Sequence, residues 1–327
     1  MNSAISASEA LRISETQPII QTWELSKTYR TGFWMQQKIQ SLKSCTLSVY
    51  EGETFGLLGP NGAGKTTIIK ILLGIIKKTS GRAILSGKPV GDRATKQYIG
   101  YLPENAYFYD YLTGWEFLQL AASLFKIPRA TQTERIKGLL DLVGLDRKTA
   151  QQKQLRQYSK GMLQRIGVAQ ALINNPEIVF LDEPMSGLDP IGRYRIRQII
   201  LSLKEQGKTI FFNSHILSDV EEICDRVAIL SQGNLLVTGS LDELLGPADA
   251  FQALGRGGNP EQLQQHLINL QMKGDRWQGQ LNRDPAAFLS TLPEMNAEII
   301  SLSRQRPSLE DYFMQQLQPK GMMRDKE

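Results

Sequence analysis

The stretch Gly59-Pro60-Asn61-Gly62-Ala63-Gly64-Lys65-Thr66-Thr67 constrains the fold more than any other part of the chain. Three glycines so close together offer no side chains to pack and are costly to order, so such a segment is kept where uncovered backbone is needed. Uncovered N–H groups in a tight loop bind anions. The preceding Thr54-Phe55-Gly56-Leu57-Leu58 is apolar and strand-like, and residues 66–73 repeat apolar side chains at helical spacing. Strand, loop and helix in that order are the context that G-x-x-x-x-G-K-[ST] requires. The backbone of Gly59, Pro60, Asn61, Gly62, Ala63, Gly64 and Thr67 wraps phosphates, Lys65 reaches the β/γ oxygens, and the Thr66 hydroxyl ligates Mg²⁺. Chance alone gives the pattern in about one chain in a hundred of this length, and the flanking strand and helix lower that further.

A chain of 327 residues with 41% hydrophobic content has room for a large α/β domain and a smaller second one. The net charge is +5 without a dense Lys/Arg block, which points to a solvated surface and away from a nucleic-acid groove. Cys45 and Cys224 have neither metal nor redox spacing, as expected in a reducing compartment. Residues 1–20 lack the basic start and apolar core of a signal peptide and read as disordered. No apolar run approaches the ~20 residues of a membrane-spanning helix, so a role at a membrane requires other chains to cross it.

Residues 45–49, 83–85 and 98–102 read as strands, and Thr113-Gly114-Trp115-Glu116 predicts a capping box opening a helix with Phe117, Leu120, Ala121 and Leu124 on one face. Helical pattern continues to Asn174, and Pro176 stops it. The apolar runs 178–181 and 209–212 have the character of strands buried on both faces. Strands alternating with helices predict a parallel sheet with phosphate sites at its carboxyl edge. The pattern changes near Gly246-Pro247, dividing the chain into domains 21–245 and 246–327. Beyond the change, a strand at 251–254, a helix at 260–270, two short strands around Trp277, a helix at 285–292, a strand at 297–302 and a last helix from Ser308 predict a small βαββαβ-like unit.

The run 178–181 ends in Asp182-Glu183-Pro184, two carboxylates where the sheet edge meets the phosphates. Asp182, at the strand tip, is placed to hold Mg²⁺ directly or through water, and Glu183, on the other face, to accept a proton from an attacking water. A solvated loop acid pair is common in any protein, but here a buried strand precedes it and Ser186-Gly187-Leu188-Asp189 follows.

In this order the motifs resemble the nucleotide-binding subunits of ABC transporters, over roughly residues 23–245. The resemblance implies an α/β P-loop NTPase fold with an ABC-type helical subdomain and an antiparallel β subdomain, followed by a small C-terminal α+β accessory domain. It implies that Tyr29 in LSKTYR stacks on adenine and that Glu104 in YLPEN occupies the glutamine-loop position. The signature LSGGQ corresponds to Tyr158-Ser159-Lys160-Gly161-Met162, which places Ser159 and Gly161 toward the γ-phosphate bound to the opposite subunit. FLDEP corresponds to the Walker B strand, Asp189 lies in the D-loop, and Asn213-Ser214-His215 ends in the histidine that contacts the γ-phosphate. The implied protein is an ATPase using ATP and Mg²⁺, a homodimer or heterodimer sandwiching two ATP molecules head to tail. It would sit on the cytoplasmic face of the cell membrane, drive export through separate integral membrane permease subunits, and bind no nucleic acid.

Taken alone, Ser159 reads equally as an ordinary N-cap before a helix with Met162, Ile166, Ala169, Leu172 and Ile173 on one face. A lone histidine after a buried strand is more often structural; the place of His215, about thirty residues after Glu183, matches the family's histidine. His266 lies in a polar helical pattern and reads as surface. Two departures stand out: Glu104 replaces glutamine, and Lys160 and Met162 replace glycine and glutamine in the signature. A carboxylate beside triphosphate, Asp182 and Glu183 adds repulsion of about 4 kcal/mol at 4 Å and an effective dielectric of about 20, before metal compensation. Glu104 is therefore expected to be metal-associated or displaced until ATP and Mg²⁺ arrive, and it joins Lys65, Glu183 and His215 as a candidate catalytic group. Both departures resemble exporter-type bacterial subunits whose ATPase and membrane parts are separate chains. The aromatic run Ala106-Tyr107-Phe108-Tyr109-Asp110-Tyr111 reads either as anchors for a membrane subunit or as core packing of the helical subdomain. Two other functions remain open, a soluble ABC-type ATPase outside transport and a nucleotide-sensing module without turnover; the presence of Lys65, Asp182, Glu183 and His215 argues against the second.

Overall fold

Residues 17–32, 37–246, 250–281, 284–306 and 308–317 are described by the structure, a computed structural model. Two long antiparallel strands, β1 (Pro18–Thr31) and β2 (Gln37–Tyr50), lead into β3 (Thr54–Leu58), in which every residue is buried. Residues 18–20 therefore belong to a strand and not to a disordered terminus, while 1–16 lie outside the described residues. The glycine loop follows β3 and opens helix α1 (Lys65–Leu72). Strands β4 (Ser80–Leu85) and β5 (Lys88–Pro89) then complete a four-stranded antiparallel sheet in the order β2-β1-β4-β5.

After β6 (Ile99–Leu102) come four helices, α2 (Gly114–Leu124), α3 (Arg129–Leu142), α4 (Arg147–Gln152) and α5 (Lys160–Ala171). The capping box at the start of α2 is formed: the Thr113 N–H donates to Glu116 Oε2 at 2.8 Å and the Glu116 N–H to Thr113 Oγ1 at 3.2 Å. The helix buries Phe117, Leu118, Ala121 and Ala122, whereas Leu120 and Leu124 are exposed, so its packed face is rotated from the one expected by spacing. The aromatic run divides. Phe108 turns inward to an edge contact with Phe117 at 5.4 Å, while Tyr107, Tyr109 and Tyr111 stay exposed, Tyr107 at 99%.

The chain then alternates through β7 (Ile178–Asp182), α6 (Pro190–Glu205), β8 (Thr209–Ser214), α7 (Leu217–Ile223), β9 (Arg226–Ser231) and β10 (Asn234–Ser240). The second sheet has the order β10-β9-β3-β8-β7-β6, parallel except for β10 at its edge. Strands β3, β7 and β8 are buried along their whole length, as parallel strands covered on both faces must be. Phe55, Phe211 and Phe180 stand opposite one another on these strands, with ring centroids 5.4 and 5.5 Å apart. This aromatic ladder fixes the register, since a one-residue slip would move each ring to the other face.

The described residues from Leu241 onward form a separate compact unit. It begins with α8 (Leu241–Leu245), a few residues ahead of the expected boundary, because Arg306 of the same unit bonds both the Asp242 carboxylate and the Leu241 carbonyl. There follow β11 (Ala250–Gly257), α9 (Pro260–His266), β12 (Leu267–Lys273), β13 (Arg276–Leu281), α10 (Pro285–Thr291), β14 (Ala297–Gln305) and α11 (Leu309–Leu317). The antiparallel order β12-β13-β11-β14 is that of a split βαβ arrangement. The expected helix 260–270 stops at His266, because Leu267 turns into the core and the next residues pair with β13. Nor is His266 a free surface residue: its half-buried ring lies 5.8 Å from that of Phe288, which packs edge-on against buried Trp277.

The parallel sheet leaves no room for added volume at Gly56, where a Cβ would fall 2.6 Å from Cys224 Sγ and 3.0 Å from Val220 Cγ1. Gly56→Ala is expected to cost about 1–3 kcal/mol through overpacking. Urea unfolding should show a lower midpoint at unchanged slope; an unchanged midpoint would mean that α7 shifts freely on the sheet.

Candidate nucleotide site

The site lies where β3, β8 and β7 end side by side. Two glycines of the loop are required by close approach as well as by backbone angle. Gly59 (φ 154°) would place a Cβ 2.3 Å from the Leu230 carbonyl oxygen, and Gly64 (φ 108°) one 2.5 Å from that of Ser41. Gly64 is also the N-cap of α1 and provides no side-chain cap, so the first-turn N–H groups are left for a ligand. The loop is held to β2 by the Ser41 and Thr67 hydroxyls, 2.9 Å apart.

Lys65 is buried and donates to the carbonyls of Gly59 at 2.6 Å and Pro60 at 3.4 Å, with its Nζ 3.7 Å from Glu183 Oε1. The Thr66 hydroxyl donates to Asp182 Oδ1 at 3.2 Å. Asn213 lies across the ends of β8 and β7: its Nδ2 donates to Asp182 Oδ1 at 2.5 Å and its Oδ1 accepts the Glu183 N–H at 2.7 Å. Burial pushes the Asp182 carboxyl above its ordinary range, against the hydrogen bonds from Asn213 and Thr66. Glu183 has left-handed backbone (φ 53°), and its Oε2 is 2.7 Å from His215 Nδ1, which donates when Glu183 is ionised. Tyr101 on β6 is pushed up to about 12, first by burial and then by the charges of Asp182 and Glu104.

The loop residues Asn61, Gly62, Ala63, Gly64, Lys65, Thr66 and Thr67 line a cleft of about 420 Å³ together with Glu104, Glu183, His215, Ser41 and Ser186. Asp182 stands behind it, joined through Thr66. Ser159, Gly161 and Asp189 line a different groove, of about 310 Å³, which shares no residue with the cleft. Ser159 caps α5 by accepting from the Met162 N–H at 3.3 Å, and Asp189 caps α6 by accepting from Gly192 at 2.8 Å. Tyr29 is on β1 opposite Ile39, outside the residues lining the cleft, with Lys27 Nζ 4.9 Å from its ring centroid.

Sequence reading missed Ser41, Ser186 and the bridging part of Asn213. Only Asn213 carried a signal, a polar side chain closing an otherwise apolar buried run. Among the described residues no group of three or more His, Cys, Asp or Glu could hold a metal ion. The Thr66 and Asp182 oxygens suit Mg²⁺, which is typically held by one or two protein groups together with substrate phosphates.

A phosphate loop at a helix start, its lysine 3.7 Å from Glu183 at the end of a buried parallel strand, and a histidine on that same carboxylate define a P-loop ATPase. The family model described as ABC transporter matches residues 42–186. The ABC transporter ATP-binding protein sll0415 of Synechocystis is 62% identical over 93% of this chain and 86% of its own length. The bacitracin transport ATP-binding protein BcrA of Bacillus licheniformis is 39% identical over 69% of this chain and 71% of its own. A dimeric, post-hydrolysis structure of the ATP-binding cassette MJ0796 bound to ADP and Pi superposes with a TM-score of 0.61 at 26% identity, covering 68% of this chain and 98% of that one. The chain belongs to the ATP-binding subunits of ABC transporters, and it hydrolyses ATP.

Gly64→Ala combines a strained angle with a collision against backbone that cannot rotate away. ATP affinity measured by calorimetry is expected to fall about tenfold or more, the effect of misplacing one or two phosphate contacts. Wild-type affinity would show that the loop geometry is not what holds the phosphates.

Proposed function

We propose that this subunit is the ATP-driven motor of an exporter, working as a head-to-tail dimer on the cytoplasmic face of a membrane beneath permease subunits on separate chains. The observation that carries the dimer is the separation of the cleft from the signature groove: Lys65 and Ser159 belong to different cavities of one chain. A γ-phosphate in the cleft is then covered by Ser159 and Gly161 of a second copy, with Asp189 at the seam between the two. Export is supported by the departures at Glu104, Lys160 and Met162 and by similarity to a protein named for bacitracin transport. Among the described residues no helix is long and apolar enough to cross a membrane, so the translocation path falls to other chains. The exposed Tyr107, Tyr109 and Tyr111 are suited to anchor such a partner. Residues 246–327 are proposed to govern dimer contact or regulation, since the ATPase motifs all precede them.

The chemistry follows from the same atoms. Lys65 spends its donors on the loop's own carbonyls and on Glu183, and it transfers them to β/γ oxygens when ATP enters. Glu183 then loses its cation but keeps His215, which holds Oε2 while the carboxylate takes a proton from the attacking water. Thr66 and Asp182 would hold Mg²⁺, with Glu104 in the same cleft as a further oxygen donor, and the ion would supply neutralisation of the phosphate charge. Tyr29 has one ring face next to Lys27 and the other for adenine.

Glu183→Gln keeps the hydrogen-bonding shape but removes the proton acceptor. Turnover is expected to drop about 100-fold or more while ATP affinity changes little, and the ATP-bound dimer should accumulate in light scattering. Near wild-type phosphate release would remove Glu183 from the role of base.

Mixed dimers test the trans arrangement. One chain carries Lys65→Ala and the other Ser159→Arg; in a head-to-tail dimer both lesions fall on one composite site and leave the other complete. One occluded ATP per mixed dimer is expected. Occlusion lost from both sites would refute the model, with each homodimer as control.

A further inference from the structure

Asn213 is fully buried on β8, between the strand that feeds the phosphate loop and the strand that ends in the two acids, in register with Leu57 on one side and Asp182 on the other. An asparagine in such a position would ordinarily serve the fold by bonding neighbouring strand groups. Here both ends of the amide go to the site. Its Oδ1 accepts the Glu183 N–H, and its Nδ2 donates to Asp182 Oδ1, the same oxygen that receives the Thr66 hydroxyl. The amide has only one workable orientation, because a flipped side chain would set its NH₂ against the Glu183 N–H and its oxygen against a carboxylate. The captured N–H belongs to a residue in left-handed backbone, a conformation that a non-glycine residue keeps only when its surroundings hold it.

We infer that Asn213 is a positioning residue for hydrolysis: it ties the acid proposed to hold the metal and the acid proposed to take the proton into one rigid unit. The inference rests on the assignment of Glu183 as base. Asn213 touches neither phosphate nor water in this role. It sets where the Glu183 carboxylate points by fixing the peptide that precedes it, and it keeps Asp182 Oδ1 turned toward Thr66. Removing it leaves the glycine loop, Lys65 and the start of α1 in place, so binding and turnover should separate.

The test uses the full-length chain with Asn213→Leu, which keeps about the same volume, and Asn213→Ala, with phosphate release measured under saturating Mg·ATP and ATP affinity measured by calorimetry in chelator. Loss of a residue that orients site groups from behind is expected to lower kcat about 10- to 100-fold, with metal-free ATP affinity within about twofold of wild type. A kcat within about twofold of wild type in either folded variant overturns the inference. So does affinity falling in step with kcat, or loss of cooperative melting in both variants, since each assigns Asn213 to the loop or the core. Glu183→Gln is run alongside. If it leaves turnover intact, the assignment of the base fails and this inference with it; if it abolishes turnover while both Asn213 variants hydrolyse normally, only this inference fails.

Discussion

Three charges buried at one sheet edge set the conditions that the rest of the first unit meets. Lys65, Asp182 and Glu183 are 6%, 1% and 7% exposed, and an unpaired charge at such depth costs several kcal/mol even after relaxation. The cost is offset by pairing of opposite sign, by the Gly59 and Pro60 carbonyls on the ammonium, and by Thr66 and Asn213 on Asp182. The partners come from the glycine loop, α1, β8 and the end of β7, so the strand order and register must be right for the pairing to exist. The ladder of Phe55, Phe211 and Phe180 supplies that register about one turn of pleat below the site. One cation against two acids leaves the cluster short of positive charge, and Glu104 in the same cleft deepens the deficit. This balance favours a nucleotide that brings its own cation, and it belongs with the push that burial exerts on Asp182.

What was legible in the sequence was local chemistry with a strict spacing. The loop 59–67, the buried strand at 54–58, the acid pair after 178–181 and the Thr113 capping box all depend on residues a few positions apart, and all lie where spacing put them. Features made by distant segments were not legible. Nothing around Ser41 announces that its hydroxyl meets Thr67, or that its carbonyl excludes any side chain at position 64. The packed face of α2 was misjudged for a related reason: Leu120 and Leu124 fit a helical stripe, but which stripe is buried depends on where the neighbouring helices lie. At 267–270 a segment of mixed pattern reads as the end of a helix, but pairing with β13 makes it the start of β12, since short segments of mixed pattern take the structure their tertiary partners offer. The aromatic run at 106–111 had two readings; the structure gives Phe108 to the core and leaves the tyrosines exposed, free for the anchoring role proposed above.

The same glycine logic that shapes the phosphate loop also joins the signature helix to the cleft. A Cβ at Gly100 on β6 would fall 2.1 Å from the Ala171 carbonyl oxygen at the end of α5, and one at Gly167 on α5 would meet Leu102 at 2.7 Å and the Phe108 ring at 3.3 Å. Helix α5 therefore lies directly on β6 and on the segment that leaves it. That segment carries Glu104 into the cleft and seats Phe108 between Gly167 and Phe117. Ser159 at the start of α5 and Glu104 in the cleft are thus held through one continuously packed path of β6, Phe108 and α5. Close-packed interiors transmit displacement because they have few voids to absorb it. The absence of side chains at positions 100 and 167 is what lets α5 lie this close to β6, so the segment that carries Glu104 and the helix that starts at Ser159 share one void-poor interface.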